Sequence, residues 1–484
     1  MKVSSTLFAL APAIGAVAGV AIADCDFAPS DIIEKDVVII GGGASGTYAA
    51  VMLREEYNVS IEVVEIKDRL GGHVNTYNDT VAHALIDYGV EVYLSYGDSK
   101  AFFERFDIPT KAFTPQSLNS VYVNSENGHL LSNYTPPAGA AEGPAYETWY
   151  NLTAPYKDMM NPGFWNFPNG SDIPELLLTP FGEVAKKYNL ESIIPSFMTT
   201  SNVGIGGTIA DTLTMYVMIA FGYEITKDLL SDSMFVPAYG SNSLLYERAY
   251  ALLKDDVLLE SFPIAAERND SGVKVVVQSF DGSKKLIRAK KLLFTPPPSE
   301  QEVAALDPDE HELEVLSHWT PTYSFIGVAR VPGIPINDGV YWTAPSAAPD
   351  NYMNVRNWPW TMLATSTGLN DSTVEVLMST NYSISQADAQ ELCTKNFEGL
   401  FAPGGAYANA TNTTIEWLAF GNHNSILWRM PASLLQQGFV QDLYSLQGPR
   451  STWYTGGLWC ADYSGDVWAF TASLLPKLVA SLKG

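Results

Sequence analysis

A glycine-rich turn, Gly41-Gly42-Gly43-Ala44-Ser45-Gly46, has the residue types and spacing that point most directly to ligand chemistry. It lies between an apolar run at 36–40 and a helical pattern over 44–57. At these positions Gly41 permits a tight bend, Gly43 lets the backbone approach a pyrophosphate, and Gly46 lets helix and strand pack closely. The N–H groups that open the helix, including those of Ala44 and Ser45, attract an anion. The turn therefore predicts a dinucleotide site.

An acidic residue stands where such a site needs one. Glu65 ends a second predicted strand, 60–66, about 20 residues beyond the turn, the position from which a carboxylate accepts hydrogen bonds from ribose hydroxyls. Strand, glycine turn, helix, strand and acid together predict a βαβ unit that binds a dinucleotide.

Further motifs narrow the choice of dinucleotide. Glu65 is followed by Lys67-Asp68-Arg69-Leu70-Gly71-Gly72-His73-Val74-Asn75-Thr76 and then by Ile86-Asp87-Tyr88-Gly89. These two motifs resemble, in order and spacing, those of the flavin-containing amine oxidoreductase superfamily, which has a glycine-glycine-basic loop and an Asp-x-Gly turn. The resemblance extends to 239–242, 453–457 and 464–467, and the chain is most similar to the fungal branch that includes beta-cyclopiazonate dehydrogenase.

The resemblance implies FAD as the cofactor, with a C-terminal helix whose first turn faces the flavin pyrimidine ring. Together with the glycine turn, it predicts cofactor contacts from Gly41, Gly43, Ala44, Ser45, Gly46, Glu65, Lys67, Gly71, Gly72, His73, Val90, Gly456, Gly465, Asp466 and Val467.

Three departures from the family pattern limit this prediction. His73 replaces the usual arginine, so a permanent charge gives way to a group that can be neutral. Its ring either packs beside the flavin or bonds covalently to the flavin 8α-methyl group. No lysine lies between Lys291 and Lys395, where many relatives place one near flavin N5, and Gly457 replaces an acid or threonine. These departures therefore favour a dehydrogenase or an isomerase over an oxidase that uses oxygen as its electron acceptor.

Two residues are candidates for catalysis. Glu91 follows the Asp-x-Gly turn and would serve as a general base if burial raised its pKa, although a structural salt bridge or an outward-facing position is the alternative. Trp428 belongs to a set of aromatic residues that either wall an apolar substrate or fill the core. The set is Tyr341, Trp342, Trp358, Trp360, Trp428 and Trp459.

The predicted fold class is α/β, with a Rossmann-type FAD-binding domain interleaved with an α+β substrate-binding domain. The predicted boundaries are a signal peptide at 1–23, FAD-binding segments at 24–110, 236–298 and 426–484, and substrate-binding segments at 111–235 and 299–425.

Bulk properties exclude some classes of function. The net charge of −25 disfavours nucleic acid and anionic membrane surfaces. The apolar N-terminus ends in Ala21-Ile22-Ala23, which predicts signal cleavage before Asp24 and a secreted protein without stable membrane insertion. Three cysteines permit at most one internal disulfide, and the six histidines show no metal-ligand spacing. Asn-x-Ser/Thr sequons lie at Asn58, Asn78, Asn133, Asn151, Asn169, Asn269, Asn370, Asn381, Asn409 and Asn412.

The sequence thus predicts a secreted, glycosylated FAD-dependent oxidoreductase that oxidises a small apolar, amine- or indole-type molecule, as in a tailoring step of secondary metabolism. Its electron acceptor is left open. Three alternatives are an FAD-dependent isomerase of fatty-acid double bonds, a thioether oxidase resembling prenylcysteine oxidase, and a glycoprotein that keeps the fold without activity.

Overall fold

The computed structural model describes residues 22–200, 208–354, 360–369 and 372–483. The strands are β1 Ile32–Ile40, β2 Ile61–Val64, β3 Asn75–Asp79, β4 Ala84–Tyr88, β5 Thr110–Ala112, β6 Asn119–Asn124, β7 Phe235–Pro237, β8 Val257–Leu258, β9 Ser261–Asn269, β10 Gly272–Ser279, β11 Lys284–Phe294, β12 Trp319–Arg330, β13 Asp338–Thr343, β14 Trp360–Ser366, β15 Thr373–Thr380, β16 Glu416–Asn422, β17 Ser425–Trp428 and β18 Thr452–Tyr454.

Two helices are named because they border the site: the nucleotide helix (Ala44–Glu55) and the C-terminal helix (Ser464–Ser481). The other α-helices are Ser99–Arg105, Gly139–Thr153, Lys157–Met160, Glu175–Leu178, Phe181–Tyr188, Ile194–Thr200, Thr214–Ala220, Tyr223–Leu230, Ser243–Leu253, Glu300–Val303, Glu310–Leu316, Gln386–Phe401, Ala432–Gln436 and Phe439–Ser445.

The first sheet has the order β8-β2-β1-β11-β10-β9, and β18 also pairs with β11. Strands β8, β2, β1, β11 and β18 run parallel, whereas β9 and β10 are antiparallel neighbours. The residues from Val37 to Ile40 in β1 are all buried, as expected for a parallel strand covered on both faces. The chain enters this sheet from three separate segments, so the Rossmann-type part of the predicted fold is confirmed.

The second sheet has the order β16-β12-β15-β14-β13-β6, with β17 also pairing β12. One face packs on the helix Gln386–Phe401, through core residues such as Val374, Val376 and Phe397. The opposite face turns toward the first lobe, where Arg330 of β12 pairs with Asp79 of the β3–β4 hairpin at 2.7 Å. The substrate-domain half of the predicted fold therefore forms a second lobe around its own sheet.

Glycine and proline explain two local features of the chain. The Asp281-Gly282 turn joins β10 to β11, with Gly282 at φ +88°. Residues 175–188 form two helices, Glu175–Leu178 and Phe181–Tyr188, because Pro180 cannot donate the backbone hydrogen bond that would continue the first helix. The described part of the chain includes every cysteine, and all three are free thiols, with Cys393 and Cys460 buried. The one disulfide that the composition permitted is therefore not formed among them.

Candidate functional site

The glycine turn begins where β1 ends and brings β1 and the nucleotide helix into close contact. Gly41 adopts φ +94°, a conformation that favours glycine. A Cβ on Gly46 would lie 1.9 Å from the carbonyl oxygen of Gly41, so no other residue fits there. The close helix–strand packing predicted for Gly46 is therefore present.

The N-terminus of the nucleotide helix keeps its donors available for an anion. Its N-cap residue is Gly43, and none of the described side chains caps the helix. Ser45 and Gly46 in the first turn are buried. Because the first N–H groups of a helix have no partner within it, buried ones need an acceptor from elsewhere. A pyrophosphate, which accepts several hydrogen bonds, satisfies this requirement.

The GG loop (Lys67–Thr76) packs directly on the glycine turn. The N–H of Gly71 donates to the carbonyl of Gly42 at 2.8 Å, and a Cβ on Gly72 would lie 2.9 Å from the Cα of Gly43. Lys67 Nζ donates to the Gly72 carbonyl at 2.7 Å. Burial lowers the pKa of Lys67, helped by the nearby Arg69 charge. The loop and the turn thus form one backbone cradle.

Glu65 holds this cradle in shape. Its Oε2 accepts the N–H of Gly42 at 2.6 Å, and its Oε1 accepts the N–H of Lys67 at 2.8 Å. Each carboxylate oxygen has a second lone pair, so these bonds leave acceptors for the ribose role that the sequence predicts. That role stays a prediction.

Asn242, which sequence reasoning placed only within a resemblance, organises the Asp-x-Gly turn. Its backbone N–H donates to both oxygens of Asp87 at 3.0 Å, and its Nδ2 donates to the carbonyl of Val90 at 2.6 Å. Asn242 is fully buried. Burial raises the pKa of Asp87 to about 6 in spite of these bonds. The hydrogen bond from Asn242 therefore holds the backbone of Val90 in place.

His73 lies between the lobes, opposite His423. The two imidazole rings are 5.1 Å apart, and His423 Nε2 lies 2.9 Å from the carbonyl oxygen of His73. Burial lowers the pKa of His73 to about 3 and that of His423 to about 4, so both rings are neutral at pH 7. His73 as a residue nevertheless keeps exposed surface, as in a side chain that lines a cleft. The predicted loss of a permanent charge at position 73 is consistent with this.

In the C-terminal motif, the backbone at Gly456 lies close to that of Thr295, and the carboxyl of Asp462 lies beside Gly457. Gly456 adopts φ +117°, and a Cβ there would lie 2.8 Å from the carbonyl oxygen of Thr295. A Cβ on Gly457 would lie 2.2 Å from Asp462 Oδ1. Asp462 thus occupies the space of the side chain that Gly457 lacks. Sequence reasoning missed Asp462 because no spacing rule connects it to Gly457.

The first turn of the C-terminal helix packs tightly on the loop before Ser99. A Cβ on Gly465 would lie 2.7 Å from Ser99 Oγ. The N–H of Val467 donates to the carbonyl of Tyr463 at 2.9 Å, within the helix. Burial and the Glu224 charge raise the pKa of Asp466 to about 8. Its Oδ2 is buried without a partner among the described residues. The flavin contacts predicted for Gly465, Asp466 and Val467 stay predictions.

An apolar row crosses the open face of the second sheet, the face turned toward the first lobe. The register aligns Tyr341 with Leu363, Leu363 with Leu377, and Leu377 with Ile326 across four strands. Tyr341 also stacks on Tyr122 at 5.4 Å. This apolar row is suited to a flat or apolar molecule.

The other predicted aromatic wall residues lie elsewhere or lack a described side chain. Trp342 and Trp360 point to the opposite face, because successive residues of a strand alternate between faces. Trp459 is fully buried in the core. Trp428 lies on β17, where its backbone pairs with Trp319, and its side chain is not among those described; Trp358 lies outside the described residues. The catalytic role of Trp428 stays a prediction.

Glu91 is exposed, and its backbone carbonyl accepts Asn242 Nδ2 at 3.1 Å. Its side chain contacts a second carboxyl, that of Glu375 on β15, and not a basic group among the described residues. The alternative of a structural salt bridge is therefore not supported by the described contacts. Sequence reasoning missed Glu375 because a single acid in a strand carries no motif.

The donor set fits FAD better than a metal ion. The uncapped helix, the backbone cradle and the available lone pairs of Glu65 match a pyrophosphate and a ribose. Within the described ranges, no group of three or more His, Cys, Asp or Glu side chains could hold a metal. When bound, FAD supplies the two-electron chemistry, and the protein residues position it.

Comparison with known proteins agrees with this assignment. Residues 39–107 match the family model described as an NAD(P)-binding Rossmann-like domain. The chain is 31% identical to FAD-dependent oxidoreductase pigF of Monascus ruber over 94% of each chain. It is 30% identical to FAD-dependent oxidoreductase dbaF of Emericella nidulans over 99% of this chain and 98% of that protein. It is 28% identical to beta-cyclopiazonate dehydrogenase of Aspergillus oryzae over 93% and 94%.

Solved structures show the same fold at low identity. A fatty acid isomerase from P. acnes superposes with a TM-score of 0.70 at 15% identity, covering 92% of this chain and 98% of that chain. Putrescine oxidase bound to putrescine gives 0.61 at 15% identity, covering 94% and 100%. Together with the full-length relatives, these findings place the chain in the family of FAD-dependent oxidoreductases with an amine-oxidase-like two-lobed fold.

Proposed function

We propose that this oxidoreductase removes a hydride from a small apolar, amine- or indole-type molecule in a tailoring step of secondary metabolism. The observation that carries the proposal is the apolar row on the second sheet, which faces the lobe that carries the backbone cradle. The relationship to beta-cyclopiazonate dehydrogenase supports an organic substrate of this kind. The apolar row would exclude water and orient the substrate.

Two alternative activities are tested in the same way. An isomerase of lipid double bonds is favoured by one feature: the strands β12 to β16 contain no lysine that could assist oxygen chemistry. It would turn over without any electron acceptor. A thioether oxidase would instead form peroxide from farnesylcysteine.

The experiment is anaerobic bleaching of the purified yellow protein with amines, indoles, thioethers and polyunsaturated acids. Loss of the oxidised flavin bands with one of the first two classes supports the proposal. Product formed from a polyunsaturated acid without net bleaching supports the isomerase. If none of the compounds bleaches the flavin or is converted, the proposal fails and a glycoprotein without activity is favoured.

We further propose that FAD is held without a covalent bond. Acid precipitation should then release all yellow colour to the supernatant. Colour that stays in the pellet would instead indicate a link through His73, whose neutral ring has no hydrogen bond to either nitrogen among the described contacts.

We also propose secretion and glycosylation. Every sequon asparagine in the described part of the chain is exposed, as a glycan acceptor must be. The exposed set is Asn58, Asn78, Asn133, Asn151, Asn169, Asn269, Asn381, Asn409 and Asn412. Asn370 lies outside the described residues. The high negative charge supports the absence of nucleic-acid partners. A mobility shift after enzymatic removal of N-glycans tests the modification.

The start of the mature chain is proposed two residues before the site predicted from Ala21-Ile22-Ala23. Ile22 is buried against Val276 and Leu286, its N atom bonds to Glu267, and its carbonyl accepts Lys274 Nζ at 3.0 Å. Cleavage after Ala21, where Gly19-Val20-Ala21 also has the small-x-small pattern, keeps these contacts. The segment 1–21 lies outside the described residues, and no helix of the described part is long and apolar enough to span a membrane.

A further inference from the structure

Glu375 is an isolated carboxyl on an otherwise apolar surface. It lies on β15 between Val374 and Val376, which are buried in the core of the second lobe. Because strand residues alternate, the Glu375 side chain points to the open face. It lies two residues before Leu377 of the apolar row, on the same face of β15, and its cross-strand neighbour on β14 is Thr365. Glu375 is half-buried there.

Glu91 reaches the same place from the first lobe. Asn242 fixes its backbone by donating to the carbonyls of Val90 and Glu91 at 2.6 and 3.1 Å. The side chains of Glu91 and Glu375 are in hydrogen-bonding contact. Two carboxylates cannot hydrogen-bond to each other, so this contact requires that one of them carries a proton.

The charges around the pair keep that proton in place. The groups that act on Glu375 are Glu91 and, more weakly, Asp87, and both are acids. Burial, the Glu91 charge and the Asp87 charge together raise the pKa of Glu375 well above its usual range. A stabilising salt bridge would have the opposite effect, so the arrangement is unlike a purely structural ion pair.

We propose that Glu91 and Glu375 form a proton-sharing acid/base pair, contributed by both lobes, that takes up the proton the substrate loses during oxidation. This inference rests on the proposed function. Oxidation of an H–C–X–H group to C=X, where X is nitrogen or carbon, breaks two bonds to hydrogen. Bound FAD would be the oxidant that takes the hydride with its electron pair, and the Glu91–Glu375 pair would accept the proton from X–H. Both hydrogens and both electrons are thereby accounted for.

The burial of the two residues defines a direction for the proton. Glu375 is half-buried beside the apolar row, whereas Glu91 is exposed. When a carbonyl oxygen of protonated Glu375 receives the substrate proton, the proton that Glu375 already holds can therefore pass through the hydrogen bond to the Glu91 carboxylate and then to water. The site is thus suited to substrates that lose a proton from an uncharged N–H or C–H group. The rival role for two carboxyls in this position is recognition of a substrate ammonium group.

The first test needs no substrate. Infrared spectra of the FAD-loaded protein at pH 7 should contain, beside the protonated-carboxyl band of Asp466, a second component that is lost in Glu375→Gln and is weakened or shifted in Glu91→Gln. The matched control is Glu398→Gln, an exposed acid on the helix behind the same sheet, which should leave the band unchanged. A wild-type band that is identical in Glu375→Gln overturns the proposal.

The second test uses the compound that bleaches the wild-type flavin fastest in the panel of amines and indoles. Glu375→Gln should slow anaerobic bleaching by about 100-fold and alter its pH profile, whereas Glu375→Asp should retain most of the rate. A raised half-saturation concentration for amines at unchanged maximal rate would show ammonium recognition and overturn the proposal. If no compound bleaches the wild-type flavin, the proposed function fails, and the infrared comparison still decides whether the pair holds a proton.

Discussion

His423 of the second lobe contacts the backbone of His73 in the first lobe, with 2.9 Å between His423 Nε2 and the His73 carbonyl oxygen. Asn75 Nδ2 lies 3.1 Å from the same ring nitrogen. These contacts connect the end of β16 to the GG loop. The position of the second sheet over the predicted flavin site therefore depends on a neutral histidine that carries no recognisable sequence motif.

Gly89 makes this contact sterically possible. A Cβ at Gly89 would lie 2.4 Å from both His423 Nε2 and the His73 carbonyl oxygen, and the residue has φ +119°. We expect Gly89→Ala to lower the free energy of unfolding by at least about 2 kcal/mol and to reduce FAD content. Thermal unfolding and the flavin-to-protein absorbance ratio measure both effects.

The matched control for this change is Gly282→Ala. Gly282 also has a positive φ, +88°, but a Cβ added there would meet no atom within 4 Å. The free energy of unfolding of this variant should fall only by the cost of a left-handed backbone conformation, about 1–2 kcal/mol. The variant should keep its FAD. Equal FAD loss in both variants would show that strain, not contact with His423, controls cofactor binding.

The neutral state of His423 predicts a pH dependence of stability. Burial lowers its folded pKa to about 4, below the unfolded value of 6.5, so its contribution to stability is present above pH 6.5 and lost as the pH falls toward 4. Between pH 7 and 4, the wild type should lose about 2–3 kcal/mol more than His423→Gln. Denaturant unfolding at several pH values measures this difference. His311→Gln, at an exposed histidine, should track the wild type, and parallel curves for His423→Gln would contradict the expectation.

Cofactor binding should depend on the glycine that joins β1 to the nucleotide helix. Gly46→Ala places a methyl group where the Gly41 carbonyl oxygen stands, 1.9 Å away, so we expect folded but colourless protein or insoluble protein. Gly143→Ala is the helical control, because no atom lies within 4 Å of the place its Cβ would take. It should stay yellow, and its stability should change by less than about 1 kcal/mol, because Pro144 follows it and offsets the gain that alanine otherwise brings in a helix. Yellow Gly46→Ala protein with normal FAD content would contradict the assignment.

The proposed N-terminus gives a direct mass-spectrometric prediction. Protein secreted from a eukaryotic host should begin at Ile22, and its new α-amino group should then pair with the Glu267 carboxylate in a partly apolar setting. Glu267→Gln should then lower the unfolding temperature, and the loss should disappear in a chain that begins at Asp24. A wild-type chain that begins at Asp24 would instead support the boundary predicted from Ala21-Ile22-Ala23.

The local sequence was sufficient to predict those elements whose structure depends on neighbouring residues. The glycine turn, the nucleotide helix and the end of β2 could be predicted because each depends on backbone conformation and on the burial of a short run, such as Val37–Ile40. The Asp281-Gly282 hairpin is of the same kind. Family resemblance extended this to the GG loop and to Gly456, since both lie in motifs whose spacing matches that of the superfamily.

Other residues needed the tertiary structure because their partners are far apart in the chain. Glu375 meets Glu91 only when β15 of the second sheet faces the Asp-x-Gly turn. Asp462 takes the space beside Gly457 only because the chain folds back after the motif. Trp342 and Tyr341 are adjacent and equally aromatic, yet the strand direction sends one to the core and the other to the open face.

The amino-acid sequence by itself indicated a dinucleotide cofactor, since a pyrophosphate cradle is built from neighbouring backbone groups and requires glycine at fixed positions. The choice of FAD came from the family resemblance. The tertiary structure alone decided which side chains of the two lobes face each other. The reason is physical: side-chain chemistry between lobes depends on burial and on contacts across hundreds of residues, and neither burial nor contact is encoded in local spacing.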